Sequence, residues 1–266
     1  MRILYPHNPL DPTKADDPYQ AEYEAALDHG LSCLLFDFDA VALGESALPK
    51  RVIAPSETVL YRGWMLNPTD YQSLTRAIRA QGGIPITSTE NYMRCHHLPG
   101  WYEDCQDLTA NTQFFSVGDG MTASSIVSAA SDLGWSKYFV KDYVKSNTGD
   151  KGSIAQSPTE IPDILEQLTL YRGEIEGGIA LRQVEDYLVE TESRYFVAKG
   201  KVYSITEKIP DLVKTVAHRI DAPFYSVDVV STTKGTLRLI ELGDGQVSGL
   251  KNWSVSAFTQ VLKALM

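Results

Sequence analysis

The sequence predicts an α/β first part with a parallel sheet, followed by an α+β second part rich in antiparallel strands. Over roughly the first 120 residues, short apolar runs alternate with helix signals, and the links between them are short. The second part carries two hairpin signals between apolar segments, at Lys199-Gly200 and at Lys234-Gly235. We therefore expect two domains, residues 1–120 and 121–266, the second with subdomains of about 121–184 and 185–266.

Proline and glycine mark the helices of the first part. Asp17-Pro18 and Asn67-Pro68 each supply an N-cap and a first-turn proline, so each predicts the start of a helix. Glycines predict the ends of these helices, near Gly30 and at Gly82-Gly83. Strands are expected at residues 2–5, 32–39, 58–64 and 84–88.

The second part begins with a helix that Asp119 is predicted to cap and that ends near Gly134. Ser157 and Glu160 form a capping-box pattern that predicts another helix. Strands are expected at residues 138–144 and 179–184, and residues 91–119 show no clear periodicity. A final amphipathic helix has its apolar positions at Val255, Phe258, Leu262 and Leu265.

Composition excludes several classes of function. The net charge of −10 and the lack of a strongly basic stretch argue against free binding to nucleic acid. No segment predicts a signal peptide or a membrane span, so we expect a cytoplasmic protein with no membrane partner. The three cysteines are scattered and predict structural thiols in a reduced compartment, with a Cys95–Cys105 disulfide as the minor alternative.

Two acids in the last hairpin are the most informative feature. If Lys234 and Gly235 are the two turn residues, Asp228 lies directly opposite Glu241 on apolar strands. Facing carboxylates are unfavourable unless a cation joins them, and magnesium prefers such oxygen ligands. Asp244 could add a third oxygen. The alternative is a register one residue away, with the acids on different faces and in water, because this turn signal is weaker than Asn-Gly.

A lysine-bearing strand is the second feature. Lys141 lies within an apolar strand, where an ammonium group needs an anionic partner. The polar loop that follows supplies Lys145, backbone N–H groups and the hydroxyl of Ser153, which suit phosphate oxygens. The spacing of a P-loop is absent, and so is a GxGxxG motif after the first strand. An exposed basic loop is the alternative interpretation.

Weaker signals surround these two. The segment of Arg182, Gln183, Val184 and Glu185 could present backbone groups to a purine edge, with Glu185 for ribose hydroxyls. Arg194 is a candidate for bidentate phosphate contact, or equally for a surface ion pair with Glu192. Arg62, with residues 91–119, is a candidate to select the substrate, although a structural salt bridge explains it equally well. The adjacent His96 and His97 point apart and do not suit a metal site.

In order along the chain, these segments resemble the ATP-grasp superfamily over nearly the whole sequence. The first third resembles the Rossmann-like preATP-grasp domain that precedes an ATP-grasp module. Three segments are similar to a small bacterial and phage clade of it, residues 61–66, 140–146 and 241–250.

The resemblance implies ATP and magnesium as cofactors and gives each candidate residue a role. Lys141 would contact the α-phosphate or adenine side, and Lys145 with its loop the β- and γ-phosphates. Gln183 and Val184 would hold adenine, with Arg182 and Glu185 beside them, and Ser153 would belong to the phosphate loop. Lys145 and Arg194 would act on the transferring phosphate. The metal ligands would be Asp228, Glu241 and Asp244.

One departure concerns the metal site. The family commonly ends its last motif in Glu-x-Asn, whereas Gly243 stands at the asparagine position. Glycine has no side chain to donate, so Asp244 could substitute, or one metal is bound differently.

The implied reaction is a carboxylate–amine ligation through an acyl phosphate, which gives an amide or peptide-like bond. No protein nucleophile is required, in agreement with the absence of a GxSxG setting. The substrates would be small-molecule or peptide carboxylates and amines, and the resemblance leaves a homodimer open. Two alternatives remain: an ATP-dependent phosphotransferase of the same fold, and a sensor or scaffold that binds ATP without turnover.

Overall fold

The computed structural model describes residues 1–44, 48–50, 52–144, 152–172 and 175–266. The chain forms two compact units, and each contains more than one stretch of sequence. The first unit contains Met1–Cys95, Arg194–Val227 and Gly243–Met266, and the second contains His96–Ser193 and Asp228–Leu242. The expected domains 1–120 and 121–266 follow the sequence linearly and stay a prediction.

The first unit contains the predicted parallel sheet. Its strands are β1 (Arg2–Asn8), β2 (Asp11–Ala15), β3 (Ser32–Phe36), β4 (Thr58–Tyr61) and β5 (Ile84–Pro85). β1 pairs in parallel with β3 and β4, and β4 in parallel with β5. β2 pairs antiparallel with the end of β1, a hairpin that the sequence analysis did not predict.

Helix α3 (Pro68–Ala80) begins as predicted. Asn67 is its N-cap, and the Asn67 side chain accepts a hydrogen bond from Asp70 N at 2.9 Å. The other helices with residues in this unit are α1 (Asp17–Asp28), α2 (Phe38–Ala42), α4 (Thr89–His96), α8 (Asp211–Arg219) and α9 (Val255–Ala264).

Several expected bounds in this unit were wrong: β4 ends at Tyr61 rather than at residue 64, and β5 ends at Pro85 rather than at residue 88. The N-cap of α1 is Asp16 rather than Asp17, although Pro18 does lie in the first turn. The strand expected over residues 32–39 ends at Phe36, and α2 follows it. The Asp37 side chain accepts from Ala40 N at 3.1 Å and so caps this helix. The Asp37 carboxylate starts a helix at a point where the apolar run alone predicted that the strand would continue.

The second unit contains an antiparallel sheet of order β6-β9-β7-β8. Its strands are β6 (Thr112–Ser116), β7 (Tyr138–Asp142), β8 (Ile154–Ala155) and β9 (Gly178–Gln183), and its helices are α5 (Pro99–Cys105), α6 (Ala123–Leu133) and α7 (Ile161–Arg172). A buried core on one face of the sheet contains residues of β7, β9, α6 and α7. β6 comes from the segment that showed no periodicity.

Two helix starts in this unit differ from prediction. Thr122, not Asp119, caps α6, through a capping box with Ser125. The capping box predicted at Ser157 does not form: the Ser157 hydroxyl pairs with Thr159, and a short 3₁₀ turn precedes α7. Gly134 ends α6 in the left-handed conformation, as predicted.

A third sheet has the order β11-β10-β12-β13. Its strands are β10 (Tyr187–Ala198), β11 (Lys201–Tyr203), β12 (Phe224–Thr232) and β13 (Leu237–Asp244). Lys199 and Gly200, with φ of 48° and 76°, form the predicted two-residue turn between β10 and β11, because Ala198 pairs with Lys201.

The three cysteines are free thiols, and Cys95 and Cys105 are fully buried, in agreement with the structural role predicted. Burial raises the pKa of the Cys33 thiol to about 11. Among the described residues, no helix is both long and apolar enough to cross a membrane.

Candidate nucleotide and metal site

One face of the β6-β9-β7-β8 sheet carries two buried cations. Phe139 pairs with Arg182 and Lys141 with Ala180 across β7 and β9, so Lys141 and Arg182 lie on the same face. Val140 and Leu181 alternate with them and belong to the helix-covered core. Lys141 is 6% exposed and Arg182 7%. The lysine-bearing strand therefore places positive charge on the face opposite the helices.

The Arg182 guanidinium is largely engaged within the second unit. Nη1 donates to Ile240 O at 2.8 Å and Nη2 to Thr109 Oγ1 at 2.6 Å, while Nε has no hydrogen-bond partner among the described residues. Burial lowers the pKa of this group, whereas Tyr187, Glu241 and Glu185 act in the opposite direction. The buried Nε–H is thus the guanidinium nitrogen that these hydrogen bonds leave unsatisfied.

The segment after Arg182 makes several contacts of its own. Gln183 N donates to Asn111 O at 2.8 Å and Val184 N to Lys137 O at 3.4 Å. The Glu185 carboxylate accepts from Tyr187 Oη at 2.8 Å and from Arg238 Nε at 3.0 Å. A ribose hydroxyl would therefore share Glu185 with Arg238, a residue that the sequence analysis did not single out. The pairing of Arg238 with Glu185 depends on the fold, because the two residues are 53 positions apart in the sequence.

The phosphate loop is described only at its ends. Lys145 and residues 146–151 lie outside the described residues. Before the loop, Val144 N donates to Asp142 Oδ1 at 2.7 Å, and after it Val140 N donates to Ser153 O at 2.7 Å. Ser153 is 6% exposed. The backbone on both sides of the loop is therefore fixed to the lysine-bearing strand.

Arg194 lies in the first unit, on β10. Its guanidinium donates to Gly249 O at 2.5 Å, and its own carbonyl accepts from Trp253 Nε1 at 2.9 Å. The side chain is half-buried. The phosphate contact of Arg194 stays a prediction. In the structure, the hydrogen bond to Gly249 O orients the guanidinium.

The turn of the last hairpin differs from the two-residue turn expected. Gly235 N donates to Thr232 O at 2.9 Å, and Thr232 N donates to Thr236 O at 2.8 Å. Two residues, Gly235 and Thr236, thus oppose Thr232, with Gly235 at φ 81°. This is a one-residue bulge at the turn.

Farther from the turn, the contacts follow the predicted register. Gly245 N donates to Phe224 O at 3.1 Å, and Ser226 Oγ lies 3.5 Å from Gly243 O. Asp228 and Glu241 lie between these contacts and the bulge at the turn, so their direct pairing stays a prediction. Asp228 is fully buried and Glu241 half-buried.

The hard oxygen donors of Asp228 and Glu241 fit magnesium chemically. Within the described part of the chain, no group of three or more His, Cys, Asp or Glu side chains could hold a metal ion. The acids would therefore need phosphate oxygens and water to complete a coordination shell, as magnesium commonly does.

Asp244 belongs to the first unit and is fully buried. Its Oδ1 accepts from Gln246 N at 3.0 Å and from Gln246 Nε2 at 2.9 Å. Its Oδ2 has no hydrogen-bond partner among the described residues. Burial raises the pKa of this carboxyl from 3.8 to about 7, against the hydrogen bonds from Gln246 and the charge of Arg62. A proton or a cation would satisfy Oδ2, so the role of Asp244 as third ligand stays a prediction.

We expect Asp244 to make stability depend on pH. Its folded pKa lies above the unfolded value, so its stabilising contribution is complete below about pH 4 and is lost as pH rises towards about 7. The loss is at most roughly 4 kcal/mol. Urea unfolding in EDTA at several pH values should show this slope, and Asp244→Asn should flatten it. Equal slopes in both proteins would contradict the assignment.

Close packing against two serines, rather than the metal site, accounts for a glycine at position 243. A Cβ at this position would lie 2.7 Å from Ser248 Oγ and 3.0 Å from Ser226 Oγ, and these two hydroxyls are hydrogen-bonded at 2.8 Å. An asparagine therefore does not fit here without moving the serines. The departure from Glu-x-Asn thus coincides with a packed serine pair.

Arg62 does not reach a substrate: it is 1% exposed and bonded on every side. Nε and Nη2 donate to the Glu22 carboxylate at 2.6 and 2.7 Å. Nη1 donates to the carbonyls of Gln246 and Ser248 at 3.1 and 2.8 Å. Burial alone would lower the pKa of Arg62, but Glu22 raises it. The selector role considered for Arg62 is wrong, and its structural salt bridge is confirmed.

The remaining sequence candidates also have structural partners. His96 is buried, and His97 Nε2 lies 3.0 Å from Glu176 Oε1.

A parallel α/β part, an antiparallel sheet bearing a buried lysine and a hairpin bearing two acids together define an ATP-grasp protein. Residues 132–264 match the model of the ATP-grasp domain, R2K clade family 3. This is half of the chain, which therefore belongs to that family. The predicted ATP-grasp class is confirmed, and ATP with magnesium is the cofactor pair of this class.

Solved structures confirm the fold. D-cycloserine synthetase DcsG has a TM-score of 0.69 at 13% identity, with all of both chains covered. D-alanyl-alanine synthetase A from Vibrio cholerae has a TM-score of 0.63 at 12% identity, covering 100% of this chain and 97% of that one. The ATP-grasp ligase PsnB, complexed with minimal precursor, Mg and ADP, has 0.58 at 12%, covering 99% and 97%. No curated protein sequence matches the chain.

Proposed function

We propose that the chain joins a carboxylate to an amine, forming an amide or peptide-like bond through an acyl phosphate. The observation that carries this proposal is the hairpin, in which the buried Asp228 and the half-buried Glu241 lie on the neighbouring strands β12 and β13. Similar folds include D-alanyl-alanine synthetase A and the ligase PsnB complexed with a precursor peptide. Small-molecule and peptide substrates are both in keeping with these neighbours.

The chemistry needs two steps. A carboxylate oxygen attacks the γ-phosphorus of ATP, and the bond to ADP breaks. The amine nitrogen then attacks the acyl carbon, orthophosphate leaves, and a proton is released. Bound magnesium supplies positive charge at the phosphate oxygens.

The protein contributes alignment and charge. Asp228 and Glu241 would hold the metal. Lys141, fixed on its strand, and Lys145 and Arg194 would offset the negative charge that moves onto the phosphoryl oxygens. Gln183 and Val184 would lie along the adenine, although both N–H groups already donate to the backbone and Gln183 Oε1 accepts from Asn111 Nδ2.

A second candidate, ATP binding without turnover, is favoured by Gly243. The serine pair at this position leaves no room for the amide ligand common in the family. Retention of both hairpin acids and of the strand lysine favours catalysis.

Trapping the acyl phosphate tests the proposal. The protein would be incubated with ATP, magnesium and a set of carboxylic acids, with hydroxylamine as a general amine. A ligase forms a hydroxamate with stoichiometric ADP and orthophosphate. A phosphotransferase forms ADP and a stable phosphorylated product without orthophosphate. ATP binding without ADP formation, across amino acid and peptide carboxylates, would instead support the sensor.

A further inference from the structure

A cavity in the first unit lies at the carboxyl edge of the parallel sheet. Its volume is about 390 Å³. β1 supplies His7, and Asp37 follows directly after β3, its parallel neighbour, where Pro6 pairs with Phe36. In open α/β sheets, ligands bind outside the carboxyl ends of the strands. The cavity is thus where this sheet would receive a ligand.

The walls of the cavity combine carboxylates with aromatic rings. Besides two prolines, the lining residues are His7, Asp16, Asp37, Phe38, Asp39 and Trp64. Among the described residues that line it, only His7 can carry a positive charge, and its Nε2 lies 3.9 Å from Asp37 Oδ2. Carboxylates alone would suit any cation. The aromatic walls and the volume favour an organic one.

Trp64 is held in place although 41% of it is exposed. Its Nε1 donates to Asp16 Oδ2 at 2.7 Å, and the ring packs edge-on against Tyr19 with centroids 5.2 Å apart. The Tyr61 hydroxyl donates to the Trp64 carbonyl at 2.5 Å. A large aromatic surface is therefore presented in a fixed orientation beside a carboxylate.

The other two carboxylates are accessible to solvent. Asp37 uses Oδ1 to cap α2, and its side chain remains 49% exposed, while Asp39 is exposed on the first turn of that helix. An ammonium group close to both would gain charge-assisted hydrogen bonds. Its carbon chain or ring would pack on Phe38 and Trp64.

We propose that this cavity binds an organic ammonium ion with an apolar body, and that this is the amine to be ligated. Only the second clause rests on the proposed function. Substrate selection by the first unit would then depend on this acidic cavity rather than on Arg62, and the selected group would be a cation rather than a carboxylate.

Three probes with the same phenyl body test the charge preference without ATP: 2-phenylethylammonium, 2-phenylethanol and 3-phenylpropanoate. The readout is the indole N–H resonance of Trp64, assigned by its loss in Trp64→Phe. We expect the ammonium to shift this resonance with a Kd at least about fivefold below that of the alcohol, and the carboxylate to leave it unchanged. Equal binding of ammonium and alcohol would overturn the proposal.

A variant pair tests the residues. Asp37→Asn/Asp39→Asn keeps a capping side chain and should weaken the ammonium at least about fivefold while sparing the alcohol. Glu24→Gln/Asp28→Asn makes the same charge change on the exposed face of α1 and should have no effect. Equal weakening by both pairs would reduce the effect to net charge and overturn the site. Asp39→Asn alone, at an exposed position, remains informative if the double variant is unstable.

The two proposals fail separately. Ammonium binding without hydroxamate formation would keep the cavity and remove the ligase. Hydroxamate formation by a protein whose cavity ignores the ammonium would remove this inference alone.

Discussion

Replacing Arg62 with methionine is expected to lower the free energy of unfolding by about 3–5 kcal/mol. The substitution leaves the Glu22 carboxylate, 5% exposed, without its cation. It also removes the donor that Gln246 O and Ser248 O share. A buried charge and two buried carbonyls would be left without this partner, and each is costly. Urea unfolding followed by circular dichroism measures the loss.

A less buried ion pair in the same unit is the matched control. Arg2 and Glu57 are joined at 3.1 Å with side chains 25% and 15% exposed, so Arg2→Met should cost about 1–2 kcal/mol, less than Arg62→Met. Adding Glu22→Leu to Arg62→Met should recover part of the loss, because no charge is then left unpaired. Should Arg62→Met prevent folding, Glu22→Gln is the milder variant. An Arg62 loss no greater than that of Arg2 would contradict the prediction.

Asp228→Asn/Glu241→Gln should weaken magnesium-dependent ATP binding by roughly 100-fold or more, which corresponds to about 2.8 kcal/mol. Neutral amides keep the shape of the acids but lose the charge that holds the metal. Binding measured in EDTA should change little, because the lysines and the adenine contacts remain. Calorimetry with and without magnesium gives both values.

Exposed acids of the second unit provide the control. Asp186→Asn/Glu190→Gln makes the same formal change at exposed positions and should leave magnesium-dependent binding intact. Because Asp228 is fully buried, unfolding midpoints must first show that the variant is folded, and Glu241→Gln alone serves if it is not. Wild-type-like magnesium dependence in a folded double variant would show that these acids do not hold the metal.

Local signals predicted much of the site's framework. The Asn67-Pro68 helix start, the Gly134 stop and the Lys199-Gly200 turn were all correct, because each depends on a few neighbouring residues. The lysine-bearing strand and the order of the motifs were sufficient to identify the ATP-grasp class. Where a nearby side chain provides a competing cap, as Asp37 and Thr122 do, the observed element boundary lies several residues from the predicted one.

Partners distant in sequence were beyond such signals. Arg62 and Glu22 are 40 residues apart, and neither local sequence predicts that they pair. Residues 112–116 lack periodicity and form a strand because β9 offers an edge for pairing. The bulge at Gly235 likewise reflects how β12 and β13 meet.

The sequence by itself therefore determined the class of protein, the order of its motifs and which side chains are candidate ligands. Only the tertiary structure decided which charges are already satisfied. Arg62 is committed to Glu22, Glu185 is shared with Arg238, and Gly243 is enclosed by two serines. The physical reason is that a residue type fixes the charge a side chain can carry, whereas its availability to a ligand depends on the groups that folding brings within hydrogen-bond distance.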